Sequence, residues 1–233
     1  MTVNRTTVYA TASGAALPRQ PARPSRESPA APERCGAGAG RPRPVLRDLR
    51  RRRGRGPHSL LFGIRDLVVV TGLPGSGKST LMSRTARGVR IDSQDTRERW
   101  EARMPGFLPY ALYRPLVRLA HYAGLRRALR TGEGVIVHDC GTQPWVRRWL
   151  ARAARRRGGT LHLLVLDVAP GTALAGQRER GRDVSRYAFL RHRRAAARLL
   201  RAVERGEVPA GCDSAVLLDR ESAGAVRHIG FAG

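Results

Sequence analysis

The chain has 233 residues and carries 44 Lys and Arg against 18 Asp and Glu, a formal net charge of +26, and that length allows one domain with a real core plus some surplus. No apolar run approaches the ~18 residues of a membrane span, and the N-terminus lacks the apolar core of a secretory signal. Cys35, Cys140 and Cys212 are odd in number and widely spaced, which excludes a disulfide framework and a CxxC metal site and points to a reducing, cytoplasmic setting.

Residues 1–58 are crowded with Pro, Ala, Gly, Ser and Arg, with 13 Arg against 3 acidic residues and almost no apolar periodicity. Such a segment cannot bury enough surface to offset its ordering entropy, so it reads as a disordered basic tail. Its Arg run, Arg50–Arg53 and Arg55, is either a solvated tail, the favoured reading, or a tether for a polyanion. Residues 59–233 form the folded domain. Leu67-Val68-Val69-Val70-Thr71 suits a buried central strand. A helix follows from Lys78 to about Arg87, and Val89–Asp92 suits a second strand. Residues 110–131 read as helical, with Leu112, Leu116, Leu119, Ala123 and Leu129 near helical spacing and a kink or turn at Pro115. Gly134–Asp139 is a third strand. Pro144 opens a helix that places Trp145, Trp149 and Ala153 on one face. Leu161–Val168 is a fourth strand, a long Arg-rich helix follows Ser185, and Ala215–Leu218 is a fifth strand. This alternation predicts a three-layer α/β fold with a five-stranded, mainly parallel sheet.

Gly72-Leu73-Pro74-Gly75-Ser76-Gly77-Lys78-Ser79-Thr80 lies between the first strand and its helix. Its glycines let the backbone turn tightly, so that successive N–H groups and the helix N-terminus face a phosphate. Lys78 reaches the β and γ phosphates of a nucleoside triphosphate, and the Ser79 hydroxyl ligates Mg²⁺. Lys78 is the sole lysine among 44 basic residues, standing where this chemistry uses a compact ammonium. Asp139 ends the third strand, the place of an acid that holds Mg²⁺, directly or through water, beside the Ser79 hydroxyl. The abundance of Arg, with Ala, Gly and Pro, matches GC-rich coding and is weak evidence for a nucleic-acid partner. It still favours anionic substrates.

A guanine-reading N/T-K-x-D motif needs a second lysine, and Asp139-Cys140-Gly141 lacks the D-x-x-G spacing, which excludes GTPases. Cys140 stands where mechanical ATPases place a water-activating Glu, and no L-S-G-G-Q signature occurs. A small phosphotransferase remains.

Over about Leu67 to Arg205 the chain resembles the P-loop kinases that include polynucleotide 5′-kinases, zeta toxins and chloramphenicol phosphotransferase, within P-loop kinase-like AAA family ATP-binding proteins. The resemblance rests on residues 72–80, on Asp92-Ser93-Gln94-Asp95-Thr96-Arg97, on the segment 128–139, and on Arg178, Arg180 and Arg182. It implies MgATP as cosubstrate and a hydroxyl-bearing small molecule or nucleotide as acceptor. It also implies an acid after the second strand acting as base, Arg97 orienting the acceptor, and Arg178 with Arg182 closing over the triphosphate. Gln94 occupies the usual place of the base, so Asp92 or Asp95 takes that role, with Asp92 preferred. Asp95 is otherwise a cap for a helix starting near Thr96. Tyr110, Tyr113, Arg114, His121 and Tyr122 either line an acceptor pocket or pack a helix. The alternatives are a nucleic-acid 5′-hydroxyl kinase or repair module, using the tail and the Arg face at 147–157, and a non-catalytic ATP-binding regulator.

Overall fold

The computed structural model describes residues 45–51, 56–138, 143–179 and 186–232. Asp139, Cys140, Arg180 and Arg182 lie outside the described residues, as do residues 1–44.

The main sheet has six parallel strands, in the order β1 (Val45–Asp48), β7 (Ser214–Leu218), β6 (Leu161–Leu166), β3 (Leu67–Gly72), β5 (Val135–His138) and β4 (Val89–Ile91). The expected count of five was one short, because β1 adds an edge strand by pairing Val45–Asp48 with Ser214–Leu217. A strand joined through backbone hydrogen bonds at an edge needs little apolar signal, so it was invisible within an Arg-rich stretch. The folded region therefore includes residues assigned by composition to the tail. A separate parallel pair, β2 (Ser59–Gly63) and β8 (His228–Ala232), also escaped sequence reading.

β3 is buried along its whole length, as a central parallel strand covered on both faces requires. Its side chains alternate between two cores. Leu67 and Val69 meet α3 (Tyr110–Ala128), α4 (Pro144–Arg156) and α6 (Arg186–Glu204), while Val68 and Val70 meet α1 (Lys78–Thr85), α7 (Arg220–Ala225), β2 and β8. Three layers result. α2 (Ser93–Glu101) and α5 (Pro170–Arg178) sit beside the C-terminal ends of the strands.

Two helices face the core with different residues than their spacing suggested. α3 runs through Pro115 without ending, and it buries Tyr113, Val117, His121, Leu125 and Ala128. Leu112, Leu116 and Leu119 point outward, at 67%, 50% and 67% exposure. Both sets recur at helical spacing, so periodicity alone could not choose between them. In α4 the buried face is Val146, Arg147, Leu150, Ala151 and Ala154. Trp145 and Trp149 instead flank it and pack around Tyr122, each with ring centroids 6.1 Å away. Among the described residues no helix is long and apolar enough to cross a membrane.

At the N-terminal end of the sheet a buried polar network ties three strands together. Asp66 accepts hydrogen bonds from the Gly63 N–H (2.6 Å), the Thr160 N–H (2.7 Å), the Thr160 hydroxyl (2.9 Å) and His162 Nε2 (2.9 Å). His162 Nδ1 lies 2.7 Å from the Ser214 hydroxyl. This network fixes β3, β6 and β7 in register at the end opposite the Gly-rich loop.

Candidate active site

The loop after β3 forms the turn its glycines allow. Gly75 has φ 82° and Gly77 φ 90°, a region costly for other residues. A Cβ on Gly75 would collide with the Ala173 carbonyl of α5, so that position is fixed by close approach as well as by conformation. Above Gly77 a Cβ would meet nothing within 4 Å. Gly77 is also the N-cap of α1 and supplies no side-chain cap. The first N–H groups of α1 therefore retain their capacity to bind an anion.

Lys78 is buried at 5% exposure, and its Nζ donates to the carbonyls of Gly72 (3.1 Å) and Leu73 (2.7 Å). A buried ammonium needs such partners, and a phosphate is a stronger one than two neutral carbonyls. Ser76 carries a buried hydroxyl with no hydrogen-bond partner in the same loop.

Ser79 and Asp92, from opposite sides of β5, come together. Asp92 follows β4, is 3% exposed, and accepts the Gln94 N–H (2.9 Å) as N-cap of α2. Its carboxylate also accepts from His138 Nδ1 at 2.5 Å, and the Ser79 hydroxyl lies near enough to help lower its pKa. Burial pushes the Asp92 carboxyl up, but His138, the Gln94 N–H and Ser79 outweigh it and hold the group at about 2. Because an ionised carboxylate only accepts, His138 Nδ1 carries the proton between them. Ser93 also reaches His138 Nδ1, at 3.2 Å.

His138 was missed by sequence reasoning. Its signal was a lone polar residue closing an apolar strand directly before Asp139. Of the two candidate bases, the structure brings only Asp92 to the loop. Asp95 faces outward and pairs with Arg90 at 2.8 Å, and the helix cap assigned to it belongs to Asp92. Arg97 pairs with Glu101 (2.6 Å) and lies 4.3 Å over the Tyr110 ring, between α2 and α3. Tyr113 and His121 are buried in α3, and Arg114 is exposed. Arg178 is exposed at the end of α5, the helix that presses on Gly75. Arg193, on α6, lines a cavity beside Gly72 and Leu73 and was not singled out from sequence. On α4 the Arg face is smaller than expected, because Arg147 is buried at 7% exposure. Arg148, Arg152, Arg155 and Arg156 remain exposed.

The site suits a magnesium-bound nucleotide. An uncapped helix start, a turn open above Gly77 and the orphaned Ser76 hydroxyl fit phosphate, and the Ser79 hydroxyl at the start of α1 is a hard oxygen suited to a divalent ion. Among the described residues no three His, Cys, Asp or Glu cluster as a metal site of their own.

A parallel sheet, a glycine loop on its central strand and a buried lysine opening the next helix define a P-loop protein. Residues 67–205 match the family model described as an AAA domain (AAA_33), and the chain belongs to that P-loop kinase-like family, which gives it a nucleotide-binding, kinase-type function. Among solved structures it is similar to the tunicamycin resistance protein of Deinococcus radiodurans, at 18% identity and a TM-score of 0.39 over 61% of this chain and 84% of that one. It is also similar to a chain of the PezAT chromosomal toxin-antitoxin system of Streptococcus pneumoniae, at 14% identity and a TM-score of 0.49 over 75% and 73%. A chain of the Pnkp1/Rnl/Hen1 RNA repair complex matches at 18% identity and a TM-score of 0.48, over 63% of this chain and 47% of that one. No curated protein matches.

Proposed function

We propose that this chain is an ATP-dependent phosphotransferase that moves the γ-phosphoryl group of MgATP to a hydroxyl of a small molecule or nucleotide. The observation that carries the reading is the Asp92 carboxylate, kept ionised by His138 and set against the Ser79 hydroxyl beside Lys78. Bound Mg²⁺ would neutralise charge on the β and γ phosphates. Lys78 would exchange its two carbonyl partners for phosphate oxygens, and Ser79 with Asp139 would hold the ion. Arg178 and Arg182 would add positive charge where the transferring group carries most negative charge.

Phosphoryl transfer forms a bond from the acceptor oxygen to phosphorus and breaks the β–γ bridge, leaving ADP. The acceptor proton goes to Asp92. A carboxyl held at about 2 is a weak base toward an alcohol in the ground state. Asp92 therefore orients the hydroxyl and takes its proton late, as the phosphoryl group arrives, which a loose transition state permits. Arg97, stacked on Tyr110 between α2 and α3, would steer the acceptor. The test is transfer of labelled γ-phosphate to a panel of metabolites and oligonucleotides. Label in acceptors with wild type and none with Lys78→Ala or Asp92→Asn supports the reading. ATP binding with no acceptor labelled would leave a non-catalytic nucleotide-binding regulator.

A nucleic-acid acceptor is the second reading, favoured by the exposed Arg148, Arg152, Arg155 and Arg156 on α4. Labelled oligonucleotide 5′ ends, with binding that weakens steeply as salt rises, would select it.

A further inference from the structure

The charges of this chain are sorted by face. α3, α4 and α6 cover the same side of the main sheet, since all three pack into the core that holds Leu67 and Val69. Together they carry 15 Arg and one acid, Glu204, which Arg50 holds at 2.8 Å. The other 17 of the 18 acidic residues lie elsewhere in the chain. Coding bias raises the share of Arg, but it does not clear acids from one layer. On α6, Arg191, Arg194, Arg198 and Arg201 are exposed and recur every three or four residues, on the side opposite the buried Phe189, Ala196 and Val203. The four exposed arginines of α4 extend this basic surface.

Beside it α3 turns apolar side chains to solvent. Leu112, Leu116, Leu119 and Ala123 recur at spacings of four, three and four, which sets them on one side of the helix, and all are exposed. Trp145 of α4, half exposed, joins them through its ring contact with Tyr122. A contiguous apolar stripe on a surface helix marks a contact site for a partner. The two features together select that partner. Arginines attract any polyanion, and nucleic-acid phosphates would satisfy them. Phosphates offer nothing to leucine, whereas the boundary between lipid headgroups and acyl chains takes leucine and tryptophan alike. A second copy of the chain would set two faces of the same charge against each other. We propose that the outer side of the α3–α4–α6 layer docks on an anionic lipid surface. The leucines and Trp145 enter the headgroup boundary, and the arginines of α4 and α6 meet the lipid phosphates and carboxylates. This docking does not depend on the nucleotide reading above.

Co-sedimentation of the full chain with phosphatidylcholine vesicles, with and without about a quarter of phosphatidylserine, tests the docking. The chain sediments with the anionic vesicles and stays in solution with the neutral ones. Raising salt from about 0.1 M to about 1 M shortens the screening length from about 10 Å to about 3 Å and weakens binding severalfold. Leu112→Ser, Leu116→Ser and Leu119→Ser combined weaken it by at least about tenfold, since buried CH₂ groups carry the insertion, with the thermal midpoint unchanged. Leu116→Trp keeps the binding, and its added emission shifts to the blue on anionic vesicles as the ring leaves water. Where the triple variant loses stability, that shift decides. No sedimentation with anionic vesicles overturns the proposal, as does equal sedimentation of wild type and a stable triple variant, or a Leu116→Trp emission that does not move. Binding of a single-stranded oligonucleotide in place of vesicles assigns the face to nucleic acid and overturns lipid docking. A dimer in place of vesicle binding, dissolved by the triple substitution, assigns the stripe to a second copy and overturns it too.

Discussion

Replacing Asp66 by Ala should loosen the end of the sheet that carries no chemistry, and the size of the effect follows from the network there. The carboxylate accepts four hydrogen bonds, from the Gly63 N–H, the N–H and hydroxyl of Thr160, and His162. Removing it strands these donors beneath a packed strand, where each unsatisfied group costs about 1–3 kcal/mol. Water entry and rotation of the Thr160 hydroxyl recover part of this, so a loss of about 3–5 kcal/mol is expected, the range for breaking a buried pair. For a chain of this size that lowers the thermal midpoint by on the order of 10 °C. Burial raises the Asp66 carboxyl, but His162 and the two backbone N–H groups pull it further down, so its folded value lies below its unfolded one. Its stabilisation is then complete above about pH 4 and fades as pH falls further. Urea unfolding at pH 7 and at successively lower pH should show the gap between wild type and Asp66→Ala closing in acid. A variant within about 0.5 kcal/mol of wild type at pH 7, a difference typical of neutral surface changes, would refute the account. A gap that stays constant into acid would refute its electrostatic part.

Gly75→Ala should abolish nucleotide binding, measured by calorimetry, while Gly106→Ala, where a Cβ meets nothing, leaves it intact. His138→Ala removes the strongest influence lowering the Asp92 carboxyl and leaves burial to raise it. The acid limb of the transfer rate should then move to higher pH, and an unmoved limb would separate His138 from Asp92. For α3, Leu125→Ala should cost about 2–5 kcal/mol in urea unfolding. Leu112→Ser, Leu116→Ser and Leu119→Ser should each stay within about 0.5 kcal/mol, and the reverse order would mean the helix faces the other way.

The loop and the strand beneath it were legible from sequence because the chemistry constrains them tightly. A phosphate cradle needs glycines at fixed spacing, and a central parallel strand needs an unbroken apolar run such as Leu67–Val70. The orientation of α3 was not legible. Its sequence offers two apolar stripes, one of them with Tyr113 and His121, and packing against β4 and α2 selects the more polar one. β1 was hidden because it is a short edge strand held mainly by backbone pairing with β7, with Leu46 as its main core contact. From sequence Asp92 had only a preference over Asp95; the sheet order puts β4 beside β5, which sets Asp92 against His138 and leaves Asp95 paired with Arg90. α5 carries Pro170, Gly171 and Gly176 in nine residues, a weak helical signal, yet it supplies the carbonyl that makes Gly75 obligatory.

The central claim is most directly tested by one assay of ATP binding and labelled γ-phosphate transfer on wild type, Lys78→Ala and Asp92→Asn. The account predicts that Lys78→Ala loses ATP binding. It predicts that Asp92→Asn still binds ATP but transfers at least about 100-fold more slowly, the lower range for a positioned acid or base. Transfer by Asp92→Asn at the wild-type rate would contradict it.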